Sequence, residues 1–142
     1  MAVSRVFWDT NLFIYLFEDY GRRAAQVAAL RRRMLARNDQ LCSSTLTLGG
    51  VLVKPREAGD EVLGRQYEQA LFRTALLIPF DLDAARLYAL IRRERAIRAP
   101  DAIQLACAAQ ARVDLFITND DRLSRYTVPG IQFVASLDRA SL

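Results

Sequence analysis

The chain has 142 residues and a formal net charge of +4, and 52% of its residues are hydrophobic while 25% are charged. These values are typical of a globular protein and exclude a disordered or fibrous chain. The length suits one ordinary core, so we expect a single domain over residues 1–142. Because the sequence contains no histidine, Ser-His-Asp and Cys-His catalysis and histidine zinc sites are also excluded.

The expected cellular location of the protein rests on its N-terminus, its apolar runs and its cysteines. The start of the sequence lacks a charged leader followed by a long apolar core, and no apolar run approaches the roughly 18–20 residues of a membrane span. Cys42 and Cys107 lie in apolar stretches, as reduced and buried thiols do. We therefore expect a cytoplasmic protein without membrane association.

The positive charge comes almost entirely from arginine, since Lys54 is the single lysine. Guanidinium groups suit phosphate, so the charge mildly favours a nucleic acid or another anionic partner. A solvated, arginine-rich surface is the alternative reading.

Strand-like and helix-like segments alternate along the chain. The predicted strands are residues 3–9, 41–44, 76–80, 115–118 and 131–135. The first predicted helix begins at Thr10 or Asn11, and the second covers residues 21–38. A third begins at Ser44 or Thr45 and runs through Val53, before Pro55 ends it. The remaining three cover residues 60–75, residues 83–95 and the segment after Pro100. Residues 119–125 read as a short helix or turn. This alternation predicts a three-layer α/β/α domain with a central, mainly parallel sheet.

Three aspartates flank the predicted strand ends. Asp9 ends the first strand, Asp120 follows the fourth, and Asp101 lies at a helix start that can face the same edge. Ligands of such sheets bind beyond the carboxyl ends of the strands. Carboxylates held together need a cation to stay ionised, and Mg²⁺ or Mn²⁺ fits an oxygen-only site. The implied reaction is phosphodiester hydrolysis.

Each acid also has a purely structural explanation. Asp101 behind Pro100 suits a helix N-terminus, Asp120 suits a helix cap, and Asp9 suits a turn. The three together are harder to explain in this way, because all of them flank strand ends.

Four segments resemble, in the same order along the chain, the sequence motifs of PIN-domain ribonucleases, in particular those of the VapC toxins of bacterial toxin–antitoxin pairs. These segments are "FWDTNLFIYLFE", "TLTLGGVLVKP", "APDAIQLACA" and "LFITNDDRL". The resemblance implies a metal-dependent endoribonuclease toxin in which Asp9, Asp101 and Asp120 are catalytic and coordinate Mg²⁺ or Mn²⁺.

The resemblance also implies supporting residues and partners. Asn11 and Thr118 match polar neighbours that orient the carboxylates. Asp121 is a substitute for, or a supplement to, Asp120, while Asn119 shapes the turn. The implied partners are an RNA substrate, an antitoxin whose C-terminal segment lies along the apolar "LFIYLF" region, and a second copy in a homodimer.

Gly50 departs from the family pattern, in which similar toxins carry a glutamate after "TLTLG". Two adjacent glycines in a helix are unfavourable, each by roughly 0.5–1 kcal/mol relative to alanine. Three explanations are open: tight packing that requires a small residue, replacement of the acid by Glu57 or Asp60, and an inactivating change. The third is favoured, and it predicts that Gly50→Glu cleaves RNA well whereas this chain cleaves it poorly.

Other acid-using classes fit less well. Haloacid-dehalogenase-like phosphatases need an aspartate where Asn11 stands, and phosphoacceptor receivers need a late lysine, whereas the single lysine is Lys54. Walker and dinucleotide glycine motifs are missing. The remaining alternative is a catalytically inactive PIN fold that binds antitoxin or RNA.

Overall fold

Residues 4–140 and 142 are described by a computed structural model of the protein. Strands and helices alternate along most of this part of the chain. In order they are β1 (Arg5–Trp8), α1 (Thr10–Phe17), α2 (Arg22–Arg37), β2 (Gln40–Ser44), α3 (Thr45–Glu57), α4 (Glu61–Thr74), β3 (Leu76–Ile78), α5 (Leu82–Ile91), α6 (Ala99–Gln110), β4 (Leu115–Thr118) and β5 (Phe133–Ser136). Short 3₁₀ turns cover Leu123–Arg125 and Leu137–Arg139.

The strands form one parallel sheet in the order β3-β2-β1-β4-β5. The first half of the chain builds outward on one side of β1, and β4 and β5 are added on the other side. The strand order therefore reverses between β1 and β4. In parallel α/β sheets, the crevice beyond the strand ends at such a reversal is where ligands bind.

Each face of the sheet buries its own core. Phe7 packs with Leu105 of α6 on one face, whereas Val6 and Trp8 pack with Leu30 of α2 on the other. This alternation follows from the two-residue side-chain period of a strand. The helices thus cover both faces, and the predicted three-layer α/β/α fold with a parallel sheet is confirmed.

Two predicted helix ends are wrong. Helix α3 does not stop before Pro55 but continues to Glu57, since Pro55 lies in its last turn and packs beside Gly64 of α4. Helix α5 ends at Ile91 rather than at residue 95. The following turn brings Ile97, which is 3% exposed, back into the core.

The strand ends also shift slightly. Strand β1 ends at Trp8: the Asp9 backbone N–H still bonds to Ile117 O of β4 at 3.0 Å, but the Asp9 side chain caps α1 by accepting from the Thr10 backbone N–H. The predicted caps Thr10 and Asn11 are therefore one and two positions late. Residue 3, the predicted start of this strand, lies outside the described residues. The last strand is Phe133–Ser136, two residues later at its start than predicted.

Both thiols are buried and unpaired with each other. Burial raises the pKa of Cys42 and that of Cys107 to about 11, so both are held as neutral thiols at physiological pH. Among residues 4–140, no helix combines the length and apolar character that crossing a membrane requires.

Candidate metal centre

Asp9 lies at the point where β1 gives way to α1. Its side chain is held from two sides: Oδ1 accepts from the Thr10 backbone N–H at 2.8 Å, and Oδ2 accepts from Thr118 Oγ1 at 2.9 Å. The residue is only 8% exposed. Burial raises its pKa, and the nearby negative charge of Asp101 raises it further, while the hydrogen bonds act in the opposite direction.

Asp101 belongs to the first turn of α6, after Arg98 at the cap and Pro100. Its pKa is also raised, first by burial and then by the charge of Asp120, against the lowering effect of Arg98 and Arg122. Asp101 is therefore coupled to Asp9 on one side and to Asp120 on the other.

Asp120 follows β4 and already has a cationic partner. Arg122 donates through Nε and Nη2 to the two carboxylate oxygens at 3.1 and 2.9 Å, and its backbone N–H donates to Oδ1 at 2.9 Å. These hydrogen bonds to Arg122 hold the pKa of Asp120 below its ordinary value. Asp120 is thus neutralised within the chain, unlike Asp9.

The three aspartates line one cavity of about 570 Å³ at the reversal of strand order. Its wall is polar and carries charges of both signs, and it is formed by Asp9, Thr10, Asn11, Leu46, Gly50, Arg98, Pro100, Asp101, Gln104, Asn119, Asp120, Asp121 and Arg122. The structure therefore brings all of the sequence-predicted acids to one crevice. It also adds Arg98 and Arg122, which the sequence analysis did not single out.

The donor chemistry of this cavity fits a hard divalent cation. Its wall offers carboxylates and no thiolate. Asp9 is buried and Asp101 half-buried, the charge of Asp101 raises the pKa of Asp9, and neither carboxylate is bonded to an arginine. Within the described residues, no three acidic or thiol side chains are gathered into a group that could hold a metal ion by themselves. Mg²⁺ commonly uses only one or two carboxylates and completes its shell with water and phosphate, so the site suits a hydrated ion.

The predicted supporting residues have different surroundings. Thr118 donates to Asp9, and it also accepts from the backbone N–H of Asp120 at 3.1 Å. Asn11 lines the cavity, but its recorded hydrogen bond goes to Asn119 Oδ1 at 3.1 Å and not to a carboxylate. Asp121 lines the cavity as well.

Gln104 is a site residue that the sequence analysis missed. It is 2% exposed, and its Nε2 donates to Thr10 Oγ1 at 2.8 Å and to Thr47 Oγ1 at 2.9 Å, with Asp9 Oδ1 at 3.4 Å. A signal was available, since Gln104 interrupts the apolar middle of α6 three residues after Asp101, on the same helix face.

The surroundings of Gly50 favour the packing explanation over the inactivating change. A Cβ atom at Gly50 would lie 2.6 Å from Cγ2 of Thr10, closer than real Cβ contacts allow. Thr10 cannot easily turn away, because its hydroxyl is bonded to Thr47 and Gln104. The expectation that Gly50→Glu alone restores a site is therefore opposed by a steric contact.

Comparison with known proteins agrees with this geometry. A PIN domain family profile matches residues 6–129. A toxin–antitoxin complex from Klebsiella pneumoniae contains a similar chain at 28% identity and a TM-score of 0.66, with 89% of this chain and 94% of that chain covered. No curated protein sequence matches this chain.

Two further structures share the fold at lower identity. VapBC2 from Rickettsia felis, bound to a DNA fragment from its promoter, gives a TM-score of 0.74 at 14% identity, covering 93% of this chain and 98% of that chain. DNA-bound VapBC from Salmonella typhimurium gives a TM-score of 0.71 at 19% identity, covering 95% of this chain and 99% of that chain. Because the PIN domain profile matches residues 6–129, the family resemblance drawn from the motifs is confirmed, and the chain belongs to the PIN-domain family.

Proposed function

We propose that this protein is a VapC-type toxin that hydrolyses RNA phosphodiester bonds with the help of Mg²⁺ or Mn²⁺. The observation that carries the proposal is the convergence of Asp9, Asp101 and Asp120 on one crevice at the reversal of strand order. Burial raises the pKa of Asp9 and that of Asp101, and the charges of Asp101 and Asp120 add to these two effects, so ionising both carboxylates is costly for the fold and a bound cation reduces that cost.

In this proposal, Asp9 and Asp101 are the main ligands of the ion, and Asp120 completes the ligand set in competition with Arg122. When bound, the ion lowers the pKa of a water molecule to generate a nucleophile and neutralises charge that develops on the phosphate. Thr118 and the Thr10 backbone N–H fix the direction of the Asp9 carboxylate. Arg98 and Arg122 line the same crevice and supply guanidinium groups for a phosphate backbone.

RNA as the substrate rests on the resemblance to PIN-domain ribonucleases. The net charge of +4 and the two arginines in the crevice support a phosphate-bearing substrate but do not distinguish RNA from DNA. Single-stranded DNA is therefore the necessary comparison in any cleavage assay.

We also propose that this protein is cytoplasmic and that its partner is an antitoxin protein that covers the crevice. It is supported by the Klebsiella pneumoniae toxin–antitoxin complex, which contains a chain 28% identical to this one. Part of α1, next to the crevice, is incompletely buried: Leu12 and Phe13 are buried, whereas the remaining apolar residues of "LFIYLF" are half-buried. A homodimer is proposed on the family resemblance alone.

An inactive PIN fold that binds antitoxin or RNA is the second candidate. Two observations favour it: Gly50 supplies no carboxylate, and Arg122 already occupies Asp120. This candidate predicts binding of RNA or antitoxin without cleavage.

Metal-titrated cleavage of RNA by the purified protein separates the two functions. We expect endonucleolytic products with Mg²⁺ or Mn²⁺, none with EDTA, and strongly reduced cleavage in Asp9→Asn. Binding without cleavage at any Mn²⁺ concentration would instead establish the inactive binder, and equal cleavage of single-stranded DNA would overturn RNA as the substrate.

A further inference from the structure

A buried hydrogen-bond network lies beside Asp9, and we call it the Gln104 network. Its members are Gln104, Thr10, Thr47, Ser43 and Ser44. Ser43, Ser44 and Thr47 are fully buried, and Gln104 nearly so. Such networks define one arrangement of their members when every polar group is paired.

Gln104 is the centre of this network. Its amide nitrogen bonds Thr10 and Thr47, and its carbonyl oxygen accepts from Ser44 Oγ. Ser43 Oγ lies 2.8 Å from Thr47 Oγ1 and extends the network toward β2. The amide can therefore adopt only one orientation without leaving a buried polar group unpaired.

The network reaches Asp9 by two routes. The direct route is weak, because Gln104 Nε2 lies 3.4 Å from Asp9 Oδ1. The stronger route passes through Thr10, whose side chain is fixed by Gln104 and Thr47 and whose backbone N–H donates to Asp9 Oδ1 at 2.8 Å. The Thr10 conformation therefore fixes Oδ1 of Asp9, while Thr118 holds Oδ2 from the other side.

Gly50 belongs to the same arrangement. With its hydroxyl fixed in the network, Thr10 directs its methyl group at Gly50, where an added Cβ would be only 2.6 Å away. Gly49, the adjacent residue of α3, has no atom within 4 Å of an added Cβ. The requirement for glycine is thus specific to position 50.

We propose that Gln104 is a positioning residue for Asp9, acting through Thr10, and that Gly50 is glycine because the positioned Thr10 methyl fills the space beside it. The expected effect on metal affinity rests on the proposed function, whereas the expected positions of the Thr10 and Asp9 side chains do not.

The first test replaces Gln104 by methionine, which keeps the volume but donates no hydrogen bond, with Gln110→Met in the same helix as the matched control. Crystal structures of both should show Thr10 and the Asp9 carboxylate displaced in Gln104→Met only. Mn²⁺ affinity, measured by electron paramagnetic resonance, should fall about tenfold in Gln104→Met and stay unchanged in Gln110→Met. Unmoved Asp9 and Thr10 side chains in Gln104→Met would overturn the inference.

The second test is a rescue at position 50. Gly50→Ala should lower the melting temperature and Mn²⁺ affinity, while Thr10→Ser/Gly50→Ala should recover both, because serine keeps the hydroxyl and removes the methyl group. Gly49→Ala is the control and should lower neither. Failure of Thr10→Ser to rescue Gly50→Ala would contradict the role assigned to the Thr10 methyl.

These tests separate the inference from the proposed function. If the native protein binds no Mn²⁺, the metal-dependent function fails, and the crystal structures and melting temperatures still decide the inference. If Mn²⁺ binds and RNA is cleaved but Gln104→Met changes neither geometry nor affinity, the inference fails and the proposed function stands.

Discussion

Asp9 and Asp120 line the same cavity, yet their surroundings differ in almost every respect. Asp9 is 8% exposed, bonded to neutral donors, and has a raised pKa caused mainly by burial. The Asp120 side chain is 26% exposed and paired with Arg122, which lowers its pKa. Ionising Asp9 therefore keeps a net cost that its hydrogen bonds only partly offset, whereas Asp120 has its own counter-ion.

This difference indicates which of the carboxylates contribute most to binding a metal ion. A divalent cation gains most beside Asp9 and Asp101, where no arginine is bonded to the carboxylates and burial opposes their ionisation. At Asp120 the ion must compete with a guanidinium group. Asp9 is thus the central proposed ligand, and Arg122 limits the contribution of Asp120.

Asp9→Asn is expected to have the largest effect, because the substitution keeps the size of the side chain and one acceptor oxygen but replaces the other oxygen with an NH₂ donor and removes the charge. RNA cleavage with Mn²⁺ should fall by more than about 100-fold. Asp83→Asn on the exposed surface of α5 is the control and should cleave normally. Cleavage by Asp9→Asn within a few fold of the native rate would remove Asp9 from the site.

A carboxylate added at position 50 tests whether the cavity accepts a fourth acid. Gly50→Glu alone should destabilise the fold by about 1–3 kcal/mol, because its Cβ meets the Thr10 methyl group. Thr10→Ser/Gly50→Glu should recover the stability and bind Mn²⁺ more tightly than the native protein. Thermal unfolding with and without Mn²⁺ measures both effects, and a single Gly50→Glu variant of native stability would show that Thr10 moves freely.

Substitution of Arg122 tests how strongly this arginine competes with a metal ion for Asp120. Arg122→Gln should increase Mn²⁺ affinity about two- to fivefold, since an exposed ion pair is a weak competitor. Arg125→Gln removes the same charge from an exposed position outside the cavity and serves as the control. An equal gain in both variants would mean that long-range charge, and not the contact with Asp120, sets the affinity.

The smallest effect concerns the pH dependence of stability without divalent ions. The pKa of Asp9 is raised in the folded state, so the native protein binds more protons than the unfolded chain between the ordinary carboxyl pKa of about 4 and the folded value. The Asp9 contribution therefore destabilises the fold as pH rises through this interval. Asp9→Asn should melt at a higher temperature than the native protein at pH 7, and this difference should shrink as pH approaches 4.

Thermal unfolding in EDTA at several pH values measures this difference. A constant difference between Asp9→Asn and the native protein from pH 4 to pH 7 would contradict a raised pKa at Asp9. The direction in which the melting-temperature difference changes with pH is the decisive result, because a normal surface carboxylate would give no change.

Much of the fold was predictable from sequence because parallel strands and covering helices leave strong local signals. The alternation of apolar strands with amphipathic helices gave the layers, and the positions of Asp9 and Asp120 after strands placed both at the same sheet edge. Helix ends were harder to predict, as at Pro55, where packing against α4 decides the outcome.

The fine structure of the site was not predictable in the same way. Gln104 and Thr10 are 94 positions apart, and their contact depends on how α6 packs against the sheet. The sequence showed that position 50 lacks a carboxylate but not that the Thr10 methyl lies there. Likewise, the pairing of Arg122 with Asp120 follows from turn geometry after β4.

Anomalous diffraction from crystals soaked in Mn²⁺ tests the central claim most directly. We predict an anomalous peak in the crevice with Asp9 and Asp101 as ligands, lost in crystals of Asp9→Asn. An empty crevice at saturating Mn²⁺, or a peak that persists unchanged in Asp9→Asn, would contradict the assignment of this cavity as the metal centre.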